Sequence, residues 1–200
     1  MRAIGVFCAS SSGTSGVLQD AARAAGTTLA QRGVEIVYGG GRFGLMGMVA
    51  DAALAHGGRV TGVMTRTLVE SEIAHPGLSR MHIVETMHER KTQMSELSDG
   101  FITLPGGPGT MEEIFEQWTW AMLGLHAKPC GFLDVGGYFA PLRSMIGGMV
   151  DAGFLRPDHR DMLAFEPDVD RLLERFERYA PPPRKYLPGQ VTAATNLETP

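Results

Sequence analysis

The chain has 200 residues, 44% of them apolar, with 18 Lys or Arg against 22 Asp or Glu and a net charge of −4. That supports one sizeable core, and it gives no chain-wide basic field to attract nucleic acid or an anionic membrane. No apolar run nears the roughly 18 residues of a membrane span, and two cysteines cannot build a disulfide framework.

Residues 3–8 read as a buried strand entered directly from the N-terminus. No signal-cleavage region precedes it, so a cytoplasmic protein is expected. Residues 10–16 form a Ser/Gly turn and 17–32 an Ala-rich helix, closed by Gly33 where a left-handed cap belongs. Residues 34–38 are a second strand, followed by Gly39-Gly40-Gly41-Arg42-Phe43-Gly44. A helix over 45–56 and a strand over 59–64 come next. Residues 65–79 are irregular and polar, and a loop of that length in a compact domain is often functional. A short strand at 81–84, a helix at 86–98 and a strand at 101–104 lead to Pro105-Gly106-Gly107-Pro108-Gly109-Thr110, which opens a helix to Leu123. A strand at 129–133 and helices at 138–152 and 168–179 complete one domain over 1–180. Residues 181–200 begin Pro181-Pro182-Pro183 and are expected to be a disordered polar tail. Strand–helix alternation with wholly apolar strands predicts an α/β protein with an open parallel sheet covered on both faces. Ligands bind such sheets at the carboxyl ends of the strands, where both glycine clusters fall.

Gly39-x-Gly41-x-x-Gly44 formally fits a dinucleotide fingerprint. That fingerprint also wants an acid about 20 residues on, where Met64-Thr65 stand, and it belongs after the first strand rather than the second. A tight turn fits as well, and so does an anion-binding loop in which Ser10, Gly40 and Gly41 are candidates. The second cluster is not a Walker loop, yet its amides and the Thr110 hydroxyl suit a phosphate at a helix N-terminus. Thr110-x-x-Glu113 has two readings. It matches a capping box, and it also sets a carboxylate in the first helical turn beside any bound anion. On the preceding helix Met87, Met94 and Leu97 form an apolar stripe that contains Arg90, with Lys91 at its edge. An inward Arg wants a carboxylate or phosphate, and the alternative is snorkelling at the stripe's margin. The histidines lack metal-ligand spacing. Cys8 and Cys130 stand alone, and Cys8 reads as packing. The helix after Thr110 is apolar over a wide arc, with Trp120 off its main stripe. Together with Met145 and Met149 this predicts a homodimer.

The motifs Pro105-Gly106-Gly107-Pro108-Gly109-Thr110-Met111-Glu112-Glu113 and Met87-His88-Glu89-Arg90-Lys91 resemble those of the LONELY GUY family of cytokinin riboside 5′-monophosphate phosphoribohydrolases. Val6-Phe7-Cys8-x-Ser10-Ser11, Gly44-Leu45-Met46-Gly47, Glu72-Ile73-Ala74-His75 and Thr119-Trp120-Ala121 agree, so the resemblance spans about residues 3–179. It implies a Rossmann-like fold, a homodimer or larger assembly, and no metal or organic cofactor. The implied reaction hydrolyses the N-glycosidic bond of an adenine-type nucleoside 5′-monophosphate to free base and ribose 5-phosphate. By the same resemblance Arg90 and Glu113 are catalytic. Glu72, Lys91, Gly106, Gly107, Gly109, Thr110, Met111, Glu112 and Thr119 contact substrate. Helical geometry sets Thr119 away from Thr110, so nothing beyond the resemblance carries that position. Ala9 stands where relatives have Gly, and Pro108, which has no N–H, where an aromatic residue is common.

A carboxylate suits this chemistry because the ribosyl centre becomes positive as the base departs. Arg90 is always protonated, so it positions rather than acts as an acid. Two rivals remain. A lysine decarboxylase would need pyridoxal phosphate on one of only three lysines, Lys91, Lys128 and Lys185. A nucleotide carrier on the same fold would have no use for an Arg90–Glu113 pair.

Overall fold

The computed structural model describes residues 1–71 and 73–185. The strands are β1 (Ala3–Phe7), β2 (Glu35–Tyr38), β3 (Val60–Thr65), β4 (Arg80–Val84), β5 (Gly100–Thr103), β6 (Cys130–Leu133) and β7 (Leu163–Glu166). The helices are α1 (Gly16–Gln31), α2 (Gly44–Ala55), α3 (Arg66–Glu70), α4 (Met87–Leu97), α5 (Pro108–Leu123), α6 (Ala140–Asp151), α7 (Pro157–Arg160) and α8 (Val169–Glu177). The anticipated elements are present to within a few residues at each end. Three go beyond the sequence reading. The first, α3, lies inside the segment read as irregular. The others, α7 and β7, span four residues each, too short for a hydrophobic period to show.

All seven strands are parallel, in the order β4-β3-β2-β1-β5-β6-β7. The chain winds outward from β1 in one direction and then returns to pair β5 on its other side. That reversal leaves a crevice at the carboxyl ends of β1 and β5, the general ligand position in this architecture.

Each face of the sheet has its own core. On one, Ile4, Val6, Ile36 and Ile102 meet Leu29 of α1, Val49 of α2 and Leu172 of α8. On the other, Phe7, Phe101 and Phe132 meet Met94 of α4, Ile114 and Trp118 of α5 and Ile146 of α6. Each such fully buried side chain contributes about 1.5–3 kcal/mol. Gly26 lets α1 lie directly on α2, because a Cβ there would strike the Val49 carbonyl.

Two helix starts bear on the site. At α4 the Glu89 N–H donates to Thr86 Oγ1 and the Thr86 N–H to Glu89 Oε2, both at 3.1 Å, so this capping box is real. At α5 the cap is Gly107 with Pro108 as the first helical residue, and no side chain caps the helix. Thr110-x-x-Glu113 is therefore not a capping box. The helix begins three residues earlier than that reading requires, since proline is pre-shaped for a first turn.

Beyond α8, the Lys185 N–H donates to the Met122 carbonyl at 2.9 Å, and His159 Nε2 lies 3.3 Å from the Pro183 carbonyl. The start of the expected tail thus packs on the body, and residues 186–200 lie outside the described residues. Among the described residues no helix is long and apolar enough to cross a membrane.

Candidate active site

Three loops close around the crevice. Cys8, Ala9, Ser10 and Ser11 follow β1, Gly39, Gly41 and Phe43 follow β2, and Gly107 after β5 leads into the first turn of α5, residues 108–110. Backbone bonds tie them together. The Ala9 N–H donates to the Pro105 carbonyl at 3.2 Å, and the Met46 N–H to the Ala9 carbonyl at 3.2 Å. They bound a cleft of about 570 Å³, within the range of small-molecule sites.

One end of the cleft suits an anion. The first-turn amides of Gly109 and Thr110 have no partner within the helix, and the positive end of the α5 dipole faces the same space. Thr110 is buried and lines it.

At the middle stand Arg90 and Glu113. Arg90 reaches from α4 across the ends of β2 and β3, and its Nε donates to the Val63 carbonyl at 2.9 Å. Its Nη1 lies 3.3 Å from Glu113 Oε1, with the two side chains 11% and 14% exposed. Arg90 is therefore the paired inward arginine of its two readings. Gly39 makes room for it, since a Cβ there would collide with the guanidinium. Burial pushes the Glu113 carboxyl up to about 7, although Arg90 pulls it down. Cys8 sits at the end of β1 on the cleft wall. Burial, with the Glu113 charge adding to it, raises its thiol well above the ordinary value, so it stays neutral and is no nucleophile.

The far end is apolar, lined by Phe43, Met46, Met64, Leu68 and Ile73. None of these five was singled out from the sequence as a site residue. The signal available for Met64 was its place at the carboxyl end of a strand.

The remaining candidates divide. Ser10, Gly41, Gly107, Gly109 and Thr110 line the cleft with Arg90 and Glu113. Gly40, Gly106, Lys91, Met111, Glu112 and Thr119 do not. Gly40 turns the β2 loop at φ +80°. Gly106 packs against Thr110, and its carbonyl accepts from the Tyr138 hydroxyl at 2.9 Å. Lys91 Nζ holds Glu112 at 2.5 Å and Glu116 at 2.9 Å. Burial pulls the Lys91 ammonium down, but these two carboxylate hydrogen bonds prevail and leave it raised. Just beyond, Ser95 Oγ donates to the buried Gln117 Oε1 at 2.8 Å, so a polar seam joins α4 to α5. Met111 packs at the edge of the second core, and Thr119 is exposed. Glu72 lies outside the described residues. Among those residues no group of three His, Cys, Asp or Glu side chains could hold a metal ion.

Residues 46–176 match the sequence model of a family described as "possible lysine decarboxylase". A probable cytokinin riboside 5′-monophosphate phosphoribohydrolase from Oryza sativa subsp. japonica is 44% identical over 90% of this chain and 74% of its own. A cytokinin riboside 5′-monophosphate phosphoribohydrolase from Arabidopsis thaliana is 43% identical over 90% of this chain and 84% of its own. The chain belongs to the LONELY GUY family. Among solved structures, the LONELY GUY chain described here is similar to the molybdenum cofactor carrier protein of Chlamydomonas reinhardtii. The TM-score is 0.65 at 20% identity, over 88% of this chain and 96% of that one. This second likeness is one of fold.

Proposed function

We propose that the protein hydrolyses the N-glycosidic bond of adenine-type nucleoside 5′-monophosphates, releasing free base and ribose 5-phosphate. The observation that carries the reading is the Arg90–Glu113 pair, buried between an anion-binding helix start and an apolar pocket. The 5′-phosphate binds the Gly109 and Thr110 amides, with Gly107 and Ser10 around it, while Gly41 lies beside Met46 and Ile73 at the other end. The base lies toward Met46, Met64, Leu68 and Ile73. That places the ribose beside Glu113.

As the C1′–N bond breaks, its electron pair leaves with the base and C1′ becomes cationic. The Glu113 carboxylate stabilises that charge and takes a proton from the water whose oxygen bonds to C1′, while the departing base gains a proton. Arg90 favours the ionised form of Glu113 against burial and orients it. Lys91 pairs with both Glu112 and Glu116 and offsets one of their two charges, which lowers the negative charge that α5 carries near the phosphate. The relatives' names support cytokinin nucleotides, N6-prenylated AMP among them, as substrates. A homodimer in the cytoplasm fits the two buried free thiols and the exposed Ile83, Met87, Leu125, Met145 and Phe154.

A pyridoxal-dependent lysine decarboxylase fits poorly. None of Lys91, Lys128 and Lys185 lines the cleft, and Lys128 Nζ donates to the Ser95 carbonyl at 2.6 Å.

The test is base release from AMP, N6-prenyl-AMP, GMP, CMP and adenosine. The adenine nucleotides should turn over, and adenosine should have a kcat/KM at least about tenfold lower than AMP, since the lost charge-assisted hydrogen bonds are worth roughly 1.5–3 kcal/mol. Equal kcat/KM for AMP and adenosine would contradict the phosphate site.

A further inference from the structure

The apolar wall of the cleft is supplied in part by a segment with little regular structure of its own. Ile73 follows the short α3, and residues 73–77 run past the β2 glycine loop. Two backbone hydrogen bonds pin this segment to that loop. The Arg42 N–H donates to the Ile73 carbonyl at 3.0 Å and the His75 N–H to the Gly40 carbonyl at 2.9 Å, which together make an antiparallel bridge between Gly41 and Ala74. The side chain of His75 then turns away from the cleft and finds two partners. Its Nδ1 accepts from the Gly77 N–H at 3.1 Å, which leaves the ring proton on Nε2. Nε2 lies 2.9 Å from Asp51 Oδ1 and donates to it. Asp51 belongs to α2, whose first turn carries Met46, another residue of the same wall.

The imidazole is 7% exposed and Asp51 is 72% exposed. An almost fully buried, fully partnered histidine therefore fastens the segment to α2 from behind. We infer that the His75–Asp51 pair is a latch that positions the Ile73 wall of the cleft, and through it sets how well the protein holds the base of its nucleotide. His75 is a positioning residue. Its imidazole touches neither the phosphate site nor the Arg90–Glu113 pair, and the backbone bond to Gly40 does not depend on the side chain, so the influence of the imidazole falls on the base end. The inference rests on the proposed function for its assignment of the base to the apolar end.

The two contacts differ in weight. A hydrogen bond to an exposed carboxylate is worth little, whereas truncating a buried imidazole removes its packing together with both of its hydrogen bonds. His75→Ala should therefore weaken binding of N6-prenyl-AMP about tenfold and Asp51→Ala about threefold. Asp51→Asn, which keeps the acceptor oxygen, should restore binding to the wild-type level. Ribose 5-phosphate, which has no base, should bind all four proteins alike. In turnover the change should appear in KM, with kcat within about twofold of wild type.

The experiment is titration calorimetry of the wild type and the three variants with N6-prenyl-AMP and with ribose 5-phosphate, each protein also carrying Glu113→Gln so that the ligand is not consumed, beside steady-state kinetics of the same proteins with Glu113 intact. Because Asp51 is exposed, its variants keep the fold even if His75→Ala does not. Unchanged N6-prenyl-AMP affinity in Asp51→Ala and in folded His75→Ala would overturn the latch, and so would an equal loss for ribose 5-phosphate. A wild type that binds N6-prenyl-AMP but releases no base would overturn the hydrolase instead, with the latch still read from binding. A wild type that binds neither ligand would overturn both.

Discussion

Glu113 lies under two opposed influences, and their balance sets its behaviour. Burial disfavours its charge, and Arg90 at 3.3 Å favours it, with the net effect a carboxyl raised to about 7. Turnover needs the ionised form, so kcat/KM should rise about tenfold per pH unit below 7 and level off above it. A rate profile that is flat between pH 5 and 8 would contradict this. The same shift bears on stability. In the unfolded chain the carboxyl loses its proton near 4.5, whereas in the fold it holds it to about 7. The stability this contributes is fully present below 4.5 and is lost as pH rises through 7, about 3 kcal/mol in all. Arg90 was legible in the sequence because an arginine inside an apolar stripe demands an anion. Glu113 was legible only in part. Thr110-x-x-Glu113 carries the same letters as a capping box, and only the helix start at Pro108 separates the two readings. Cys8 was read correctly as buried packing, but a strand end gives no sign that the same side chain forms the wall of a cleft.

At the level of elements, the site depends on how closely α4 can lie over the strand ends. Arg90 passes through the space that Gly39 leaves empty. Gly39 is not among the glycines with positive φ, so alanine fits its backbone and the conflict is with the guanidinium. Gly39→Ala should fold, yet lose about 10²-fold in kcat/KM, because displacing a catalytic partner by about 1 Å costs that much. Gly148→Ala on α6, where an added methyl meets nothing within 4 Å, is the matched control and should retain activity. Gly39→Ala with wild-type turnover would show that the position of Arg90 is not critical. The long elements were readable because their apolar periods repeat several times. The β7 strand and the α7 helix have four residues each, and their existence is decided by the sheet edge and the core they cover. The apolar pocket was hidden for a related reason. Phe43 and Met46 come from one stretch and Met64, Leu68 and Ile73 from another, and only the pairing of β2 with β3 brings the two together.

Over the whole molecule, one topological event places the chemistry. The return of the chain to the far side of β1 opens the crevice, and the loops after β1, β2 and β5 fill its rim with small residues and backbone amides. The parallel sheet and the carboxyl-end position of both glycine clusters were legible from strand–helix alternation alone. The strand order was not, because alternation is the same for every winding. The central claim is that this crevice uses Glu113 to break a ribosyl–base bond, and replacing that carboxylate by an amide of the same shape tests it most directly. The measurement is base release from AMP by Glu113→Gln, with nucleotide binding followed alongside by calorimetry. The variant should fold and should bind AMP at least as well as wild type, since a negative charge near the phosphate is gone. Its kcat should fall about 10²–10³-fold, as loss of roughly 3–4 kcal/mol of transition-state stabilisation requires. A Glu113→Gln protein that releases adenine from AMP at close to the wild-type rate would contradict the account.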